Sequence, residues 1–294
     1  MFPIIPASSA ASFPKNDEGI FGFGESPRKS MTNLVSNAGV VSSDVAGVGS
    51  AREELAACEY GGDKGIFGYG NTGSVLDVTN LVSNTGVVAS DVTGVGTGRR
   101  KLAACGYGGD KGIFGYGYDG SLVSMTNLVS NTGVISSDVA GVGTAHSGLA
   151  ACEYGNDKGI FGFGEDGGSV GYTNLVSDAG VVSSDVAAVG TARSQPAACE
   201  YGGDKGIFGY GSGFTAVSNL VSNAGVVSSD VAAVGTPRSR LAACEYGQDK
   251  GIFGFGSGGS DTAITNLVSN TGVVATDTAG VGTGRRALAA CSFN

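Results

Sequence analysis

Three features of the sequence predict an all-β chain folded as a six-bladed β-propeller with four-stranded antiparallel blades. A Gly-Ile-Phe-Gly-aromatic-Gly hexapeptide begins at Gly19, Gly65, Gly112, Gly159, Gly206 and Gly251, at intervals of 46, 47, 47, 47 and 45 residues. A period of that size marks an array or ring of repeated units. Within each unit, short runs of β-branched, aromatic and small residues alternate with glycine-rich turns, and no 3.6-residue apolar period persists long enough for a helix. The last segment, Leu288 to Asn294, repeats the first strand of a unit with no second strand behind it.

The unit from Arg52 to Gly98 shows how each element is read. Leu55 to Tyr60 is a strand of small residues, suited to the crowded centre where blades converge. Gly61-Gly62-Asp63-Lys64-Gly65 is a tight connection of turn formers. Ile66 to Tyr69 is the second strand, whose glycines let a neighbouring sheet approach closely. After a polar loop at Asn71 to Ser74 comes a third strand, Val78 to Val82. Ser83-Asn84-Thr85-Gly86 is a hairpin turn, and Val87 to Val92 is a fourth strand. Four short antiparallel strands in about 47 residues describe a propeller blade, and six copies lie within the usual four to eight.

The division that follows is a lead-in at residues 1–14 and a single propeller at 15–294. Ring closure by the C-terminal strand is expected beside Gly19 to Gly24, since Leu-Ala-Ala-Cys at 288–291 matches the other first strands better than the rival segment Ser9 to Phe13. Closure removes an open sheet edge that would otherwise recruit other chains.

Composition narrows the function classes. Glycine is 54 of 294 residues, well above the usual ~7%, but there is no Gly-X-Y period and 41% of the chain is hydrophobic, so neither collagen nor disorder fits. A net charge of −9 without a basic stripe argues against nucleic acid and anionic membranes. No apolar run is long enough to span a bilayer, and Met1 to Ser9 does not read as a secretory signal. Cys58, Cys105, Cys152, Cys199, Cys244 and Cys291 occupy one equivalent position. Units stacked at ~10 Å hold such residues beyond disulfide reach of roughly 7 Å. Six reduced, buried thiols are expected, and no Cys-x-x-Cys pair suggests zinc.

The motif order resembles kelch repeats. An Arg-containing approach, Arg193-Ser194-Gln195-Pro196-Ala197-Ala198, leads to Gly206-Ile207-Phe208-Gly209-Tyr210-Gly211, and the turn Ser130-Asn131-Thr132-Gly133 looks like the Asp-Pro-x-Thr stretch of that family. The kelch double glycine is here Gly-aromatic-Gly, and the kelch tryptophan is missing. The opening Met-Phe-Pro-Ile-Ile-Pro with its near-identical repeats is similar to virion and tail-fibre components of aquatic bacteriophages. These resemblances imply a propeller fold and a phage setting; they do not name an activity.

Chemistry-bearing constellations are sparse. A copper oxidase on a kelch propeller needs imidazoles, and the one histidine, His146, stands where other units carry Arg52, Arg193 or Arg238, reading as a surface variant. There is no nucleophile elbow, and the Gly-x-Gly patterns follow no βα unit. The Asp-Lys pairs, Asp63-Lys64 to Asp249-Lys250, read as solvated turn residues. Asp44, Asp91, Asp138, Asp185, Asp230 and Asp277 lack the Asp-x-Asp density of a calcium loop. Asn33, Asn80, Asn127, Asn174, Asn219 and Asn266 read as groups satisfying backbone between blades.

What varies between copies are the loops after the second strand, and the loops entering the first strand share their side of the disc. Loops on a rigid scaffold are where binding resides, and Arg and aromatic residues dominate binding hot spots. The candidate binding face is therefore Arg28, Tyr118, Phe214, Arg99, Arg193 and Arg238. The expected function is a non-enzymatic binding or structural module with no cofactor. As a phage virion component it would be a fibre tip, receptor binder or decoration protein. Its partners would be other virion proteins or a host-surface glycan or protein, as a monomer or an oligomer. A carbohydrate-active enzyme or oxidase and an intracellular kelch adaptor are the alternatives. The expected location is the virion, or otherwise a soluble, reducing compartment.

Overall fold

The computed structural model describes residues 16–25 and 27–294. The lead-in at 1–14, the reading of Met1 to Ser9 and the rival strand Ser9 to Phe13 lie outside the described residues.

Small and β-branched residues between glycine turns form eighteen short strands among the described residues. The first sheet holds β1 (Glu18–Gly24) and β2 (Lys29–Val35), and the second β3 (Ala56–Tyr60), β4 (Lys64–Gly68) and β5 (Thr79–Val82). The third holds β6 (Ala103–Tyr107), β7 (Lys111–Tyr118) and β8 (Leu122–Val129); the fourth holds β9 (Ala150–Tyr154), β10 (Lys158–Glu165) and β11 (Ser169–Val176). The fifth holds β12 (Ala197–Tyr201), β13 (Lys205–Gly211) and β14 (Thr215–Val221), and the sixth β15 (Ala242–Tyr246), β16 (Lys250–Gly254) and β17 (Thr265–Val268). β18 (Ala289–Phe293) returns to the first sheet, which has the order β18-β1-β2. It pairs antiparallel with β1, from Glu18 opposite Phe293 to Gly22 opposite Ala289. The closing strand is the one that the repeat pattern indicates.

The strands that begin each sheet contact one another in the order β3-β6-β9-β12-β15-β18-β3. Together they line an axial cavity of about 50 Å³, with Ala57, Cys58 and their equivalents on its wall. Six repeated antiparallel sheets in a closed ring are consistent with a propeller closed by the C-terminal strand.

The hexapeptide is the joint between sheets. A Cβ on its first glycine would collide with a thiol of the preceding sheet: Gly65 meets Cys291, Gly112 meets Cys58, and Gly19 meets Cys244. Its phenylalanine lies on the fourth-position glycine of the preceding sheet, as Phe67 does on Gly22 and Phe21 on Gly254. The six cysteines are thus free and buried, and burial pushes their thiols above the ordinary range. Gly65→Ala is expected to destabilise the protein by about 1–3 kcal/mol, the usual cost of overpacking. Around Gly65 only Cys291 Sγ obstructs an added methyl; Val82 Cβ and Cys291 Cβ lie at 3.5 and 3.6 Å. Adding Cys291→Ala should therefore recover part of the loss in a denaturation double-mutant cycle. Strictly additive losses would show that this contact does not set the spacing between sheets.

The expected fourth strand is corrected. Three regular strands make up each sheet, and the Val87 to Val92 segment reaches β5 only through isolated bridges, Val82 to Val88 and Thr79 to Val92. Side chains enter the ladder there. Asn80 Nδ2 donates to the Ala89 carbonyl at 2.9 Å, and in the first sheet the Leu34 amide donates to Ser42 Oγ rather than to a backbone oxygen. The repeated asparagines therefore join the third strand to the outer segment of their own sheet, rather than bridging neighbouring sheets. Their amides also donate to the repeated aspartates, as Asn33 does to Asp44 at 2.9 Å.

Those aspartates anchor the loop that enters each sheet. Asp44 accepts the amide and hydroxyl of Thr283, at 3.1 and 2.6 Å, so the ring is also tied at its periphery. Burial would raise these carboxyls, but the hydroxyl, asparagine and amide hydrogen bonds outweigh it and hold all six below the usual range. The Asp-Lys pairs are half-exposed ion pairs in the turns, Asp110 with Lys111 at 3.1 Å among them.

Candidate functional site

Antiparallel order puts the hairpins between second and third strands on one side of the ring, together with the loops entering the first strands. Three of the predicted contacts on that side prove to be internal. Arg99, Arg193 and Arg238 are 0%, 1% and 0% exposed, so they are corrected from surface groups to buried ones. Each belongs to a Ser/Thr-x-Arg cassette. Arg99 Nε donates to the Tyr116 carbonyl at 2.9 Å, and its Nη1 to the Thr97 carbonyl at 3.2 Å. Its guanidinium lies 4.3 Å from the centroid of Tyr69 in the preceding sheet. Arg193 and Arg238 stack likewise on Phe163 and Tyr210. Such a desolvated cation–π contact contributes ~2 kcal/mol or more. Burial lowers these guanidinium pKa values, to about 10 for Arg52, Arg193 and Arg285, so the groups stay charged at neutral pH.

The ring under each guanidinium belongs to the fifth hexapeptide residue, held at left-handed φ from 62° to 64°. A bulky residue pays in strain there, roughly 1–2 kcal/mol. The bulge it creates in the first, third, fourth and fifth sheets aims the ring at the neighbouring Arg or His.

His146 takes the arginine position in the fourth sheet and is 0% exposed, which corrects its reading as a surface variant. Its Nδ1–H donates to the Thr144 carbonyl at 2.8 Å, and Nε2 has no partner. Tyr116 and Tyr172 flank the imidazole at ring distances of 4.5 and 5.0 Å. Burial lowers its pKa, so this junction alone carries a neutral ring where five others hold a cation.

The same junction carries a surface cleft. β7, β8, β10 and β11 are eight residues each, against five for β4 and β16. Tight turns extend them: Asp119 Oδ1 accepts the Ser121 amide at 3.0 Å, and Gly120 and Gly167 supply φ of 135° and 120°. Between the two long hairpins lies a cleft of about 570 Å³, lined by Arg100, Lys101, Tyr118 and Leu122 on one side and Ser147, Glu165 and Ser169 on the other. Tyr118 and Arg100 exchange backbone hydrogen bonds at 2.9 and 3.0 Å, as do Glu165 and Ser147 at 2.8 and 3.0 Å. The Arg100 guanidinium stands 5.4 Å over the Tyr118 ring and pairs with Glu54 at 3.1 Å. Lys101 Nζ pairs with Glu165 at 2.9 Å across the cleft floor.

The other predicted contacts are placed apart. Arg28 lines a smaller cavity of about 390 Å³ on the first sheet and is held by Glu53 at 2.8 Å and the Thr72 carbonyl at 3.0 Å. Phe214, 55% exposed, caps the hairpin of the fifth sheet. Sequence reasoning missed Lys101 and Glu165, because they come from different units and meet only in the ring. The signal for Lys101 was variation: positions 54, 101, 148, 195, 240 and 287 are Glu, Lys, Gly, Gln, Arg and Ala. At these six sites the backbone forms a closed circuit around the axis, each N–H donating to the carbonyl of the preceding site, from Lys101 to Glu54 at 2.9 Å round to Glu54 to Ala287 at 2.9 Å. The backbone circuit is what these sites share, while their side chains differ.

No protein-family model matches the chain, and no curated protein matches it.

Proposed function

We propose that this chain is a non-catalytic binding module: a kelch-like propeller whose outer fourth strand is reduced to two bridges per blade, carried on a phage particle as a fibre tip, receptor binder or decoration protein. One observation carries the binding reading. The cleft, the longest hairpins and the only neutral junction coincide between the third and fourth sheets, where an otherwise near-exact repeat is broken. Buried cassettes keep the scaffold constant, and the side chains that vary are those at the rim. The phage setting rests on the sequence resemblance.

Antibody raised against the purified protein is expected to label purified particles, and added free protein should compete with particle adsorption to host cells. The Tyr118→Ser chain should melt as the parent does and compete several-fold less well. Particles without the protein would overturn the virion placement. Undiminished competition by the variant would overturn the cleft as the binding site.

A further inference from the structure

We propose that the cleft between the third and fourth sheets binds a neutral oligosaccharide. This deepens the binding reading above and rests on it. The charges of the cleft argue against an ionic ligand. Arg100 pairs with Glu54, and Lys101 with Glu165, so each cation of the lining is matched by a carboxylate and these four groups leave no net positive charge to draw a phosphate, sulfate or carboxylate. Beneath the cleft the buried cation of every other junction is replaced by His146, which removes one more attraction for an anion.

The lining offers what a polyhydroxyl ligand uses. The Tyr118 ring and Leu122 supply apolar surface for the C–H faces of a sugar. Glu165 and Ser169 provide acceptors from the fourth-sheet hairpin, and Lys101 and Arg100 provide donors from the loop that enters the third sheet. A volume of about 570 Å³ falls within the range of small-molecule sites. Its wall at Gly167 and Gly168 is bare: a Cβ at either would meet nothing within 4 Å, so a chain of sugars can run out over that turn.

The test uses the whole chain and ligand-observed NMR with two sets of probes. One set is neutral: maltotriose, cellotriose, laminaritriose and N,N′,N″-triacetylchitotriose. The other is anionic: sialyllactose and a heparin tetrasaccharide. At least one neutral probe is expected to bind, with affinity unchanged within twofold between low and high salt, since no ion pair is formed with it. Tyr118→Ala should weaken it at least tenfold. Gly168→Trp, which enters open space, should abolish it without shifting the melting temperature, so a folding defect cannot stand in for loss of the site. Binding of anionic probes alone, binding indifferent to both variants, or no binding by any neutral probe overturns the proposal. If the sugars fail but Gly168→Trp still loses adsorption competition, the cleft remains a binding site for another ligand class. If that competition is also intact, the binding reading itself falls.

Discussion

Removal of residues 288–294 is expected to cost the protein its cooperative fold. β18 is the inner strand of the first sheet, and Phe293 is 0% exposed there. Truncation strips five residue pairings from β1. It also removes Cys291 from its seat on Gly65, the Asn294 carbonyl that accepts from Asp17 and the Asn294 amide that donates to Asp63. Burial of Phe293 and Leu288 alone contributes about 3–6 kcal/mol. With the ladder added, the loss is on the order of 10 kcal/mol, the size of an ordinary domain's whole stability. Calorimetry of the truncated chain should show a broad, early transition or none. Melting at the parent temperature would mean that the first sheet is completed by some other segment.

Arg238→Ala is expected to lower stability by about 3–5 kcal/mol, the usual cost of breaking a buried charged network. The substitution leaves the Phe255 carbonyl, the Thr236 carbonyl and Asn266 Oδ1 without donors that now sit at 2.8, 3.1 and 2.7 Å. It also empties the space over the Tyr210 ring. Arg240, two residues on, has a side chain 35% exposed and pairs with Glu25 at 3.5 Å. Its replacement by Ala should cost under about 1 kcal/mol, as for surface pairs. Guanidinium denaturation of the two variants decides the matter: equal losses would show that the cassette does not hold adjacent sheets together. Arg238→His should not match the parent either. At the natural histidine junction Tyr172 fills the room that the shorter side chain leaves, and the sixth sheet has Ile264 at that place.

The number of sheets, their three inner strands and the closing strand were legible because each is a periodic property. A glycine, a thiol or a phenylalanine at a constant offset can be read without knowing what it touches. The fourth strand was over-read for the opposite reason. Val87 to Val92 has strand composition, but Asn80 and its equivalents take up carbonyls that a ladder would need, and composition does not reveal which hydrogen bonds a side chain intercepts. The arginines misled because free-standing arginine belongs outside. The ring that makes Arg52 tolerable inside is Phe23, in the preceding unit. The constant Ser/Thr-x-Arg offset was the available clue that these residues serve folding. Tyr118 was found because its loop varies, whereas the Lys101–Glu165 pair exists only once two units stand side by side.

The first sheet also orders events in time. Its two outer strands are made early and its inner strand late: Thr283, which ties down the entering segment, follows its partner Asp44 by 239 residues. Sheets two to six can each complete themselves as the ribosome delivers them, since their strands are consecutive. The first must wait as an unfinished hairpin, and long-range pairing of this kind is slow. Growth of this protein is therefore an arc that lengthens sheet by sheet and becomes a ring in one terminal step, so any chain interrupted before β18 is left with a gap at its own beginning.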